Sequence, residues 1–168
     1  MHLTEDDVGF MIAPRINAAS RMDVPMQAFH MLAASDDVFA GKIAEHLHNI
    51  NNQRKVVVAL IVKEIKKMLS KRELREVVVI GNPKWRVGVL GIVANNIMEE
   101  LGRPVFVWGR EGSEHIKGSC RSDGSVNLVE LMNKVSKGLF IDIGGHELAA
   151  GFSISHEKIH LLENELIF

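Results

Sequence analysis

Residues 77–108 read VVVIGNPKWRVGVLGIVANNIMEELGRPVFVW, and they indicate the architecture more clearly than any other part of the chain. The first five residues form a β-branched run that is typical of a buried strand. A helical segment follows and closes at Gly102, and Pro104 just beyond it prevents the helix from continuing. PVFVW, residues 104–108, predicts a second strand. A strand, a helix and a strand in this order indicate an α/β domain.

The residues after this stretch continue the alternation of strands and helices. HIKGSCRS, residues 115–122, predicts a strand edge that runs into a turn of small residues. NLVELMNKV, residues 127–135, predicts a short amphipathic helix. GFSIS, residues 151–155, predicts a terminal strand before a last helix near residues 156–166. The expected fold class is therefore α/β, a mixed sheet with flanking helices.

A long helix is predicted before this domain. Ser35 can cap its start, and Asp36 and Asp37 suit its first turn. At 1.5 Å per residue, a helix over residues 36–69 is roughly 50 Å long, which suits a connector between two bodies. Its cation-rich end fits either a solvated helix end or a phosphate-contacting patch. Apolar residues recur along one stripe at three- and four-residue steps: Ile43, Leu47, Ile50, Val57, Ile61, Ile65 and Met68.

The opening of the chain predicts shorter helices. Thr4 can cap a first helix whose initial turn is acidic. Pro14 is expected to disrupt that helix and to bias Ala13 away from helical geometry. Residues 15–21 then form a turn or short helix, and Pro25 lies near the start of another helix.

Composition describes an ordinary globular protein. The 168 residues are 46% hydrophobic and 24% charged, enough for one medium domain or a domain with an appendage. Twenty basic and 21 acidic residues give a net charge of -1, which neither argues for a polyanionic partner nor excludes a local basic surface. Cys120 is the only cysteine, so a reducing compartment is favoured. Without a leader or a long apolar run, a soluble cytoplasmic protein with no membrane partner is expected.

Two segments carry residues suited to phosphate. In KGSCRSDGS, the hydroxyls of Ser119 and Ser122 flank the guanidinium of Arg121, and small neighbours leave backbone amides accessible. A polar turn with an exposed arginine is the alternative. The helix start after NPKWR offers a further anion site. Trp85 within that segment either stacks a base or staples the helix.

Histidines raise the question of a metal or a ligand. His146 follows two glycines, so the backbone can approach another group closely, although a packing or surface role is the alternative. His46 and His48 point to nearly opposite faces of a helix. His156 and His160 lack an accompanying cysteine or carboxylate cluster. No complete metal site is visible in the sequence.

Five segments in order carry a family resemblance: PRINAASRM, LHNINNQRK, WRVGVLGIVANNIMEELGRPVFVW, KGSCRS and GGHELAAGF. Together they resemble the C-terminal part of the RecJ-type single-stranded-DNA exonucleases, within the DHH phosphoesterase superfamily. The resemblance covers essentially the whole chain. It implies that residues 1–34 are the C-terminal stub of a DHH catalytic domain. Residues 35–75 would be the connector helix, and residues 76–168 a DHHA1 domain that binds substrate.

The resemblance also implies a binding site, because the Gly-Gly-His loop of this family faces the catalytic domain across a cleft and helps to bind nucleic acid or phosphate. Three departures accompany it. Ser20 and Cys120 stand where the family usually has glycines, and the Cβ of Cys120 is expected to narrow the approach of a phosphate. Arg86 and Val87 replace the residues that the family usually has after the tryptophan, and Arg86 can add an anion contact. The expected substrate-binding residues are Arg15, Asn17, Arg21, Ser119, Arg121, Ser122, Gly144, Gly145 and His146.

Catalysis in this family needs Mn or Mg ions held by Asp and His ligands, including an Asp-His-His signature that does not occur in this sequence. The resemblance therefore implies no catalytic residue and no metal ligand in this chain, with the ions bound by a DHH domain outside it. The expected function is the single-stranded-DNA-binding portion of a metal-dependent 5′-to-3′ exonuclease.

Two alternatives stay open. One is a non-catalytic nucleic-acid-binding or scaffold module. The other is a fragment of another DHH-family phosphoesterase, such as an oligoribonuclease or a nucleotide phosphatase. The expected partners are single-stranded nucleic acid and the missing DHH domain. Self-association is also expected, through exposed apolar residues of the first segment: Phe10, Met11, Ile12 and Met22.

Overall fold

The computed structural model describes residues 2–111 and 114–167. The chain forms two compact units, Met1–Ala59 and Leu60–Phe168, and the division falls inside its longest helix. The boundaries at residues 34 and 75 that the sequence suggests stay predictions.

The first unit is helical. A π-helix (Asp7–Ile12) leads into α1 (Ala13–Met22), which is followed by α2 (Met26–Leu32) and the start of α3 (Asp37–Leu69). The predicted cap at the beginning of the chain is present. The amide of Asp7 donates to Thr4 Oγ1 at 3.2 Å, and the amide of Thr4 donates back to Asp7 Oδ2 at 3.0 Å.

Pro14 does not break the helical path, so that prediction is wrong. Ala13 has helical dihedral angles, φ −55° and ψ −39°, and Pro14 lies in the first turn of α1. The amide of Ala13 reaches back five residues to the carbonyl of Val8. A proline is tolerated here because the first turn of an α-helix does not need its amide donor.

The long helix α3 is present with nearly the predicted bounds. Its 33 residues span roughly 50 Å at 1.5 Å per residue. Asp36, and not Ser35, caps its start, because Asp36 Oδ1 accepts the amides of Val38 at 2.8 Å and Phe39 at 3.0 Å.

The buried stripe of α3 differs from the predicted one. Ile50 and Val57 are only half-buried and Met68 is 39% exposed, while the residue after each of them is buried. Runs of adjacent apolar residues leave the phase of a stripe ambiguous, and packing selects one phase. The buried residues are Ile43, Leu47, Asn51, Val58, Ile61, Ile65 and Leu69.

The second unit is built on a mixed five-stranded sheet, which confirms the predicted fold class. The strands are β1 (Val78–Gly81), β2 (Val105–Gly109), β3 (Ile116–Arg121), β4 (Phe140–His146) and β5 (Ala149–Ile154). Their order in the sheet is β1-β2-β3-β5-β4. β1 and β2 are parallel, and the remaining neighbours are antiparallel.

Helices pack on this sheet. α4 (Leu90–Leu101) connects the two parallel strands and contacts β2 and β3. It ends at Gly102 with φ 58°, the left-handed cap that the sequence predicts. α5 (Leu128–Lys134) and α6 (Leu162–Glu165) contribute to a core that contains Phe106 and Phe152. No helix in residues 2–111 or 114–167 is long and apolar enough to cross a membrane.

Two side chains cap the free edge of β1. Arg72 Nη2 donates to the carbonyl of Val79 at 3.0 Å, and the amide of Val79 donates to Glu163 Oε1 at 3.3 Å. Arg72 and Glu163 also pair with each other at 3.1 Å. An ion pair therefore satisfies the peptide groups that a further strand would need.

Candidate functional site

The two predicted phosphate loops are strands in the structure. Ser119, Cys120 and Arg121 lie in β3, at the centre of the sheet, and Gly144–His146 end β4. Their backbone groups pair with neighbouring strands, so the expectation of accessible loop amides is wrong for Ser119 to Arg121. Small residues are needed in these strands because neighbouring side chains lie close to the backbone. A Cβ on Gly118, for example, would lie 2.0 Å from the ring of Phe152.

Strand register places the candidate residues in two adjacent rows. Ser119 is opposite Gly151 on β5, and Gly151 is opposite Gly144 on β4. The second row joins Arg121, Ala149 and His146 in the same way. Neighbouring strands lie about 4.8 Å apart, so Arg121 and His146 stand roughly 10 Å apart across the sheet.

Both rows present their side chains on one face. Side chains alternate along a strand, and directly paired residues of neighbouring strands share a face. Cys120 and Ala150, between the two rows, belong to the core on the opposite face. The floor between Arg121 and His146 is formed by small residues, and a Cβ on Gly144 would meet nothing within 4 Å. The result is a flat surface with polar groups at both sides.

The first turn of α4 forms one wall of this surface. A Cβ on Gly91 would lie 2.9 Å from Arg121 Nη2 and 3.2 Å from Ser119 Oγ, so only a glycine leaves both groups undisturbed. Arg121 Nη1 donates to the carbonyl of Cys120 at 2.8 Å, which orients the guanidinium. The amino end of a helix carries partial positive charge, which adds to that of Arg121.

His146 is exposed at the open side of the surface. The amide of Leu148 donates to His146 Nδ1 at 3.4 Å, within the two-residue turn that joins β4 to β5. A neutral ring whose Nδ1 accepts a hydrogen bond carries its proton on Nε2. The imidazole therefore offers an N–H donor on its far side.

Ser122 and Gly145 do not lie on this surface. The Ser122 hydroxyl is buried and donates to the carbonyl of Val126 at 2.7 Å, while the amide of Gly124 donates to it at 3.1 Å. It closes the turn after β3. Gly145 has φ 142°, and a Cβ there would lie 2.5 Å from Ala149 O, so it serves the hairpin.

Cys120 does not narrow the surface, contrary to the expectation from its side-chain volume. Its side chain faces the core on the other side of the sheet, where Sγ donates to the carbonyl of Ala150 at 3.2 Å. Burial raises the pKa of the Cys120 thiol to about 12. The thiol therefore stays protonated at neutral pH.

Trp85 and Arg86 are engaged within the second unit. Trp85 is 3% exposed, and its Nε1 donates to Glu64 Oε2 at 2.9 Å, which fits the helix-stapling alternative and leaves no face for a base. Arg86 pairs with Glu111 at 2.9 Å. At the cationic end of α3, Lys66 pairs with Glu100 at 2.6 Å.

In the first unit, the three predicted contact residues lie on α1. Asn17 and Arg21 are one helical turn apart and share a face. Arg15 has a different role, because its Nη2 lies 3.0 Å from His48 Nδ1 and its Nη1 donates to the carbonyl of Met11. Arg54 of α3 is a further cation of this unit; it is half-buried, lies in the LHNINNQRK motif and is not among the predicted contact residues.

Exposed apolar residues also lie in the first unit. Phe10 is 75% exposed and Met11 is 53% exposed, as expected. Ile12 is half-buried, and Met22 is buried at 8% exposure, so the expectation that Met22 is available to a partner is wrong. Met22 points inward because it follows Ala18 by one helical turn, on the buried side of α1.

Within residues 2–111 and 114–167, no group of three or more His, Cys, Asp or Glu side chains is placed to hold a metal ion.

Known proteins resemble the chain over nearly its whole length. The DHHA1 domain model matches residues 75–167. The single-stranded-DNA-specific exonuclease RecJ of Bacillus subtilis is 32% identical over 164 residues, which is 96% of this chain and 21% of the relative. RecJ of Haemophilus influenzae is 31% identical over 98% of this chain and 30% of the relative. The chain thus spans under a third of these relatives.

Solved structures of RecJ proteins also resemble the chain. The crystal structure of Thermus thermophilus RecJ in complex with Mg²⁺ superposes with a TM-score of 0.83 at 30% identity, over 95% of this chain and 25% of that one. An exonuclease RecJ bound to manganese superposes with a TM-score of 0.82 at 31% identity, over 95% of this chain and 40% of that one. Since the DHHA1 match takes in more than half of the chain and the RecJ likeness almost all of it, the chain belongs to the DHHA1 family and is of the RecJ type.

Proposed function

We propose that the chain is the single-stranded-DNA-binding portion of a RecJ-type 5′-to-3′ exonuclease. The observation that carries this proposal is the surface formed by Ser119, Arg121, Gly144 and His146. It combines a guanidinium, a hydroxyl and an imidazole N–H with a floor that has almost no side-chain bulk. These donors suit the oxygens of a phosphodiester, and the flat floor suits an extended strand.

Each group has a distinct role in this proposal. Arg121 offers a fork of N–H donors to one phosphate, and Ser119 adds a hydroxyl beside it. His146 donates from Nε2 at the other side of the floor. Asn17 and Arg21 of the first unit contribute further contacts to the strand. Arg15, held by His48, is assigned to positioning rather than to direct contact.

Hydrolysis is assigned to a DHH domain outside this chain. The related RecJ structures contain Mg²⁺ or manganese, and no suitable ligand cluster occurs in the described part of this chain. Such ions would supply an activated water and neutralise charge on the leaving oxygen. The residues of this chain would hold the phosphodiester in place and supply none of the metal ligands.

A binding titration tests the proposal. The affinity of the chain for a labelled oligothymidylate is measured by fluorescence anisotropy at several salt concentrations. We expect the affinity to fall steeply with salt, because each neutralised phosphate contributes a slope of roughly −0.7 in log–log form. Arg121→Gln should lower the affinity and reduce the slope by about 0.7. Lys134→Gln, at an exposed position of α5, is the matched control.

The alternatives give different results. A scaffold module predicts no salt-dependent binding, and equal binding by Arg121→Gln and Lys134→Gln would support it. A fragment of an oligoribonuclease predicts a preference for RNA, which a matched oligouridylate tests in the same titration. The similarity to RecJ over almost the whole chain favours the exonuclease proposal.

Exposed apolar side chains of the first unit support a second partner. Phe10, Phe29 and Leu32 are 75%, 59% and 67% exposed. Exposed side chains of this size are suited to burial against a partner protein. We propose that they pack on the DHH domain of a longer protein, and that the chain alone self-associates through them. Sedimentation should show a concentration-dependent mass, and a constant monomer mass at high concentration contradicts self-association.

A further inference from the structure

Two polar residues interrupt the buried apolar stripe of α3. Asn51 is 3% exposed and occupies a stripe position between Leu47 and Val58. Arg54 follows it by one helical turn and is half-buried. A polar amide and a guanidinium therefore stand where apolar side chains would pack.

One polar atom of each side chain lacks a hydrogen-bond partner within the described part of the chain. Arg54 Nε and Asn51 Oδ1 are both buried and have no hydrogen-bond partner. Buried polar atoms in folded proteins are nearly always paired, so two orphans on one helical turn point to a missing ligand. The carboxamide of Asn51 can present its NH2 group at the same place after rotation.

The charge at this position is positive. Burial, and then repulsion from the Arg21 guanidinium, lower the pKa of Arg54. Among the residues that the structure describes, no carboxylate forms an ion pair with Arg54. Asp23, two residues after Arg21, has Oδ2 2.7 Å from His46 Nε2. An anion beside Arg54 and Arg21 would relieve this repulsion.

We propose that Arg54, Arg21 and Asn51 form an anion subsite that takes one phosphate group of the bound strand. This inference rests on the proposed function and extends its contacts to α3. A phosphate fits better than a carboxylate, because its oxygens can serve two guanidinium groups and an amide at once. A carboxylate has two oxygens, which one arginine fork already occupies.

Orthophosphate alone provides the first test. Thermal unfolding of the 168-residue chain is measured with and without orthophosphate, for the wild type, Arg54→Gln and Lys55→Gln. Lys55 is the matched control, because it is the next residue on α3 and is exposed. We expect orthophosphate to raise the Tm of the wild type and of Lys55→Gln equally, and to raise that of Arg54→Gln less, because only the Arg121 surface remains to bind phosphate there.

The same experiment separates binding from a structural role. Without phosphate, Arg54→Gln should unfold at or above the Tm of the wild type, since it removes a repelled charge and an unpaired donor. A phosphate response of Arg54→Gln as large as that of the wild type overturns the proposal. Arg54→Lys keeps the charge but loses the fork, so its phosphate response should be reduced. Arg54→Lys takes the place of Arg54→Gln in this experiment if Arg54→Gln does not fold.

Oligothymidylates with and without a 5′-phosphate identify the source of the phosphate. Arg54→Gln should weaken binding about tenfold, as expected for loss of a charge-assisted hydrogen bond. A loss confined to the phosphorylated strand assigns the subsite to the terminal group, and an equal loss assigns it to a backbone phosphodiester. If the wild type binds with salt dependence and Arg54→Gln binds equally well, the subsite is overturned while the proposed function stands. If the wild type does not bind either strand, the proposed function itself fails.

Discussion

Gly91→Ala should weaken strand binding while it stabilises the protein. Gly91 lies in the first turn of α4, and its added Cβ would be 2.9 Å from Arg121 Nη2 and 3.2 Å from Ser119 Oγ. The nearer atom is the end of a flexible side chain, so the guanidinium can move away at little energetic cost. The helix itself gains up to about 1 kcal/mol when alanine replaces glycine.

The loss of affinity follows from the displaced guanidinium. A hydrogen bond to a charged group contributes about 1.5–3 kcal/mol, so loss of the Arg121 contact should raise the Kd by about tenfold or more. The salt slope should fall by about 0.7, as for Arg121→Gln. Anisotropy titrations with oligothymidylate measure the Kd, and urea unfolding measures the stability of the same samples.

Gly41→Ala is the matched control for this substitution. Gly41 lies on α3, and a Cβ there would meet nothing within 4 Å. It should therefore stabilise the helix to a similar degree and leave the Kd unchanged. If Gly91→Ala and Gly41→Ala bind the oligonucleotide equally well while Arg121→Gln does not, the contact between α4 and Arg121 has no bearing on binding.

Four further predictions concern chemistry and stability. Cys120, with its pKa raised from 9.0 to about 12, should resist alkylation at pH 8 until the protein unfolds, and rapid labelling of the folded chain would contradict its burial. Because the pKa is raised, the stability that it contributes is present below pH 9 and should decline as the pH rises towards 12, which urea unfolding at pH 8 and pH 10.5 would detect. Glu163→Ala should lower the free energy of unfolding by about 1–3 kcal/mol, since it leaves the Val79 amide without its acceptor, and unchanged stability in the same assay would contradict that assignment. The purified chain should not degrade single-stranded DNA in the presence of Mn²⁺, and robust degradation would show that metal ligands lie within it.

Helices of this chain were the more predictable part of its fold. Apolar periodicity and the glycine and proline after it are local signals, and they correctly predicted α4 and its end at Gly102. The same signals placed α3 but misassigned its cap to Ser35 instead of Asp36. Both residues are good caps, and only the positions of the first free amides distinguish them.

The strands that carry the candidate site were harder to predict. The segments around Ser119 and Gly144 contain GSCRS and GGH, whose glycines and small polar residues are unfavourable in strands, and so they resemble loops in sequence. Their conformation depends on pairing with β2 and β5, which are separated from them by many residues or by a hairpin. Family resemblance indicated these residues, but only the register shows that Ser119, Arg121 and His146 share a face while Cys120 does not.

The capped edge of β1 limits how copies of the second unit can join through their sheets. Arg72 and Glu163 already occupy the peptide groups of Val79, so an incoming strand would have to displace an ion pair before it could pair there. β4 is at the other end of the sheet and has one neighbour, β5. If two copies joined through β4, each copy would use its only remaining sheet edge, and no edge would be left for a third copy. The arrangement therefore opposes growth of an extended fibre from this sheet.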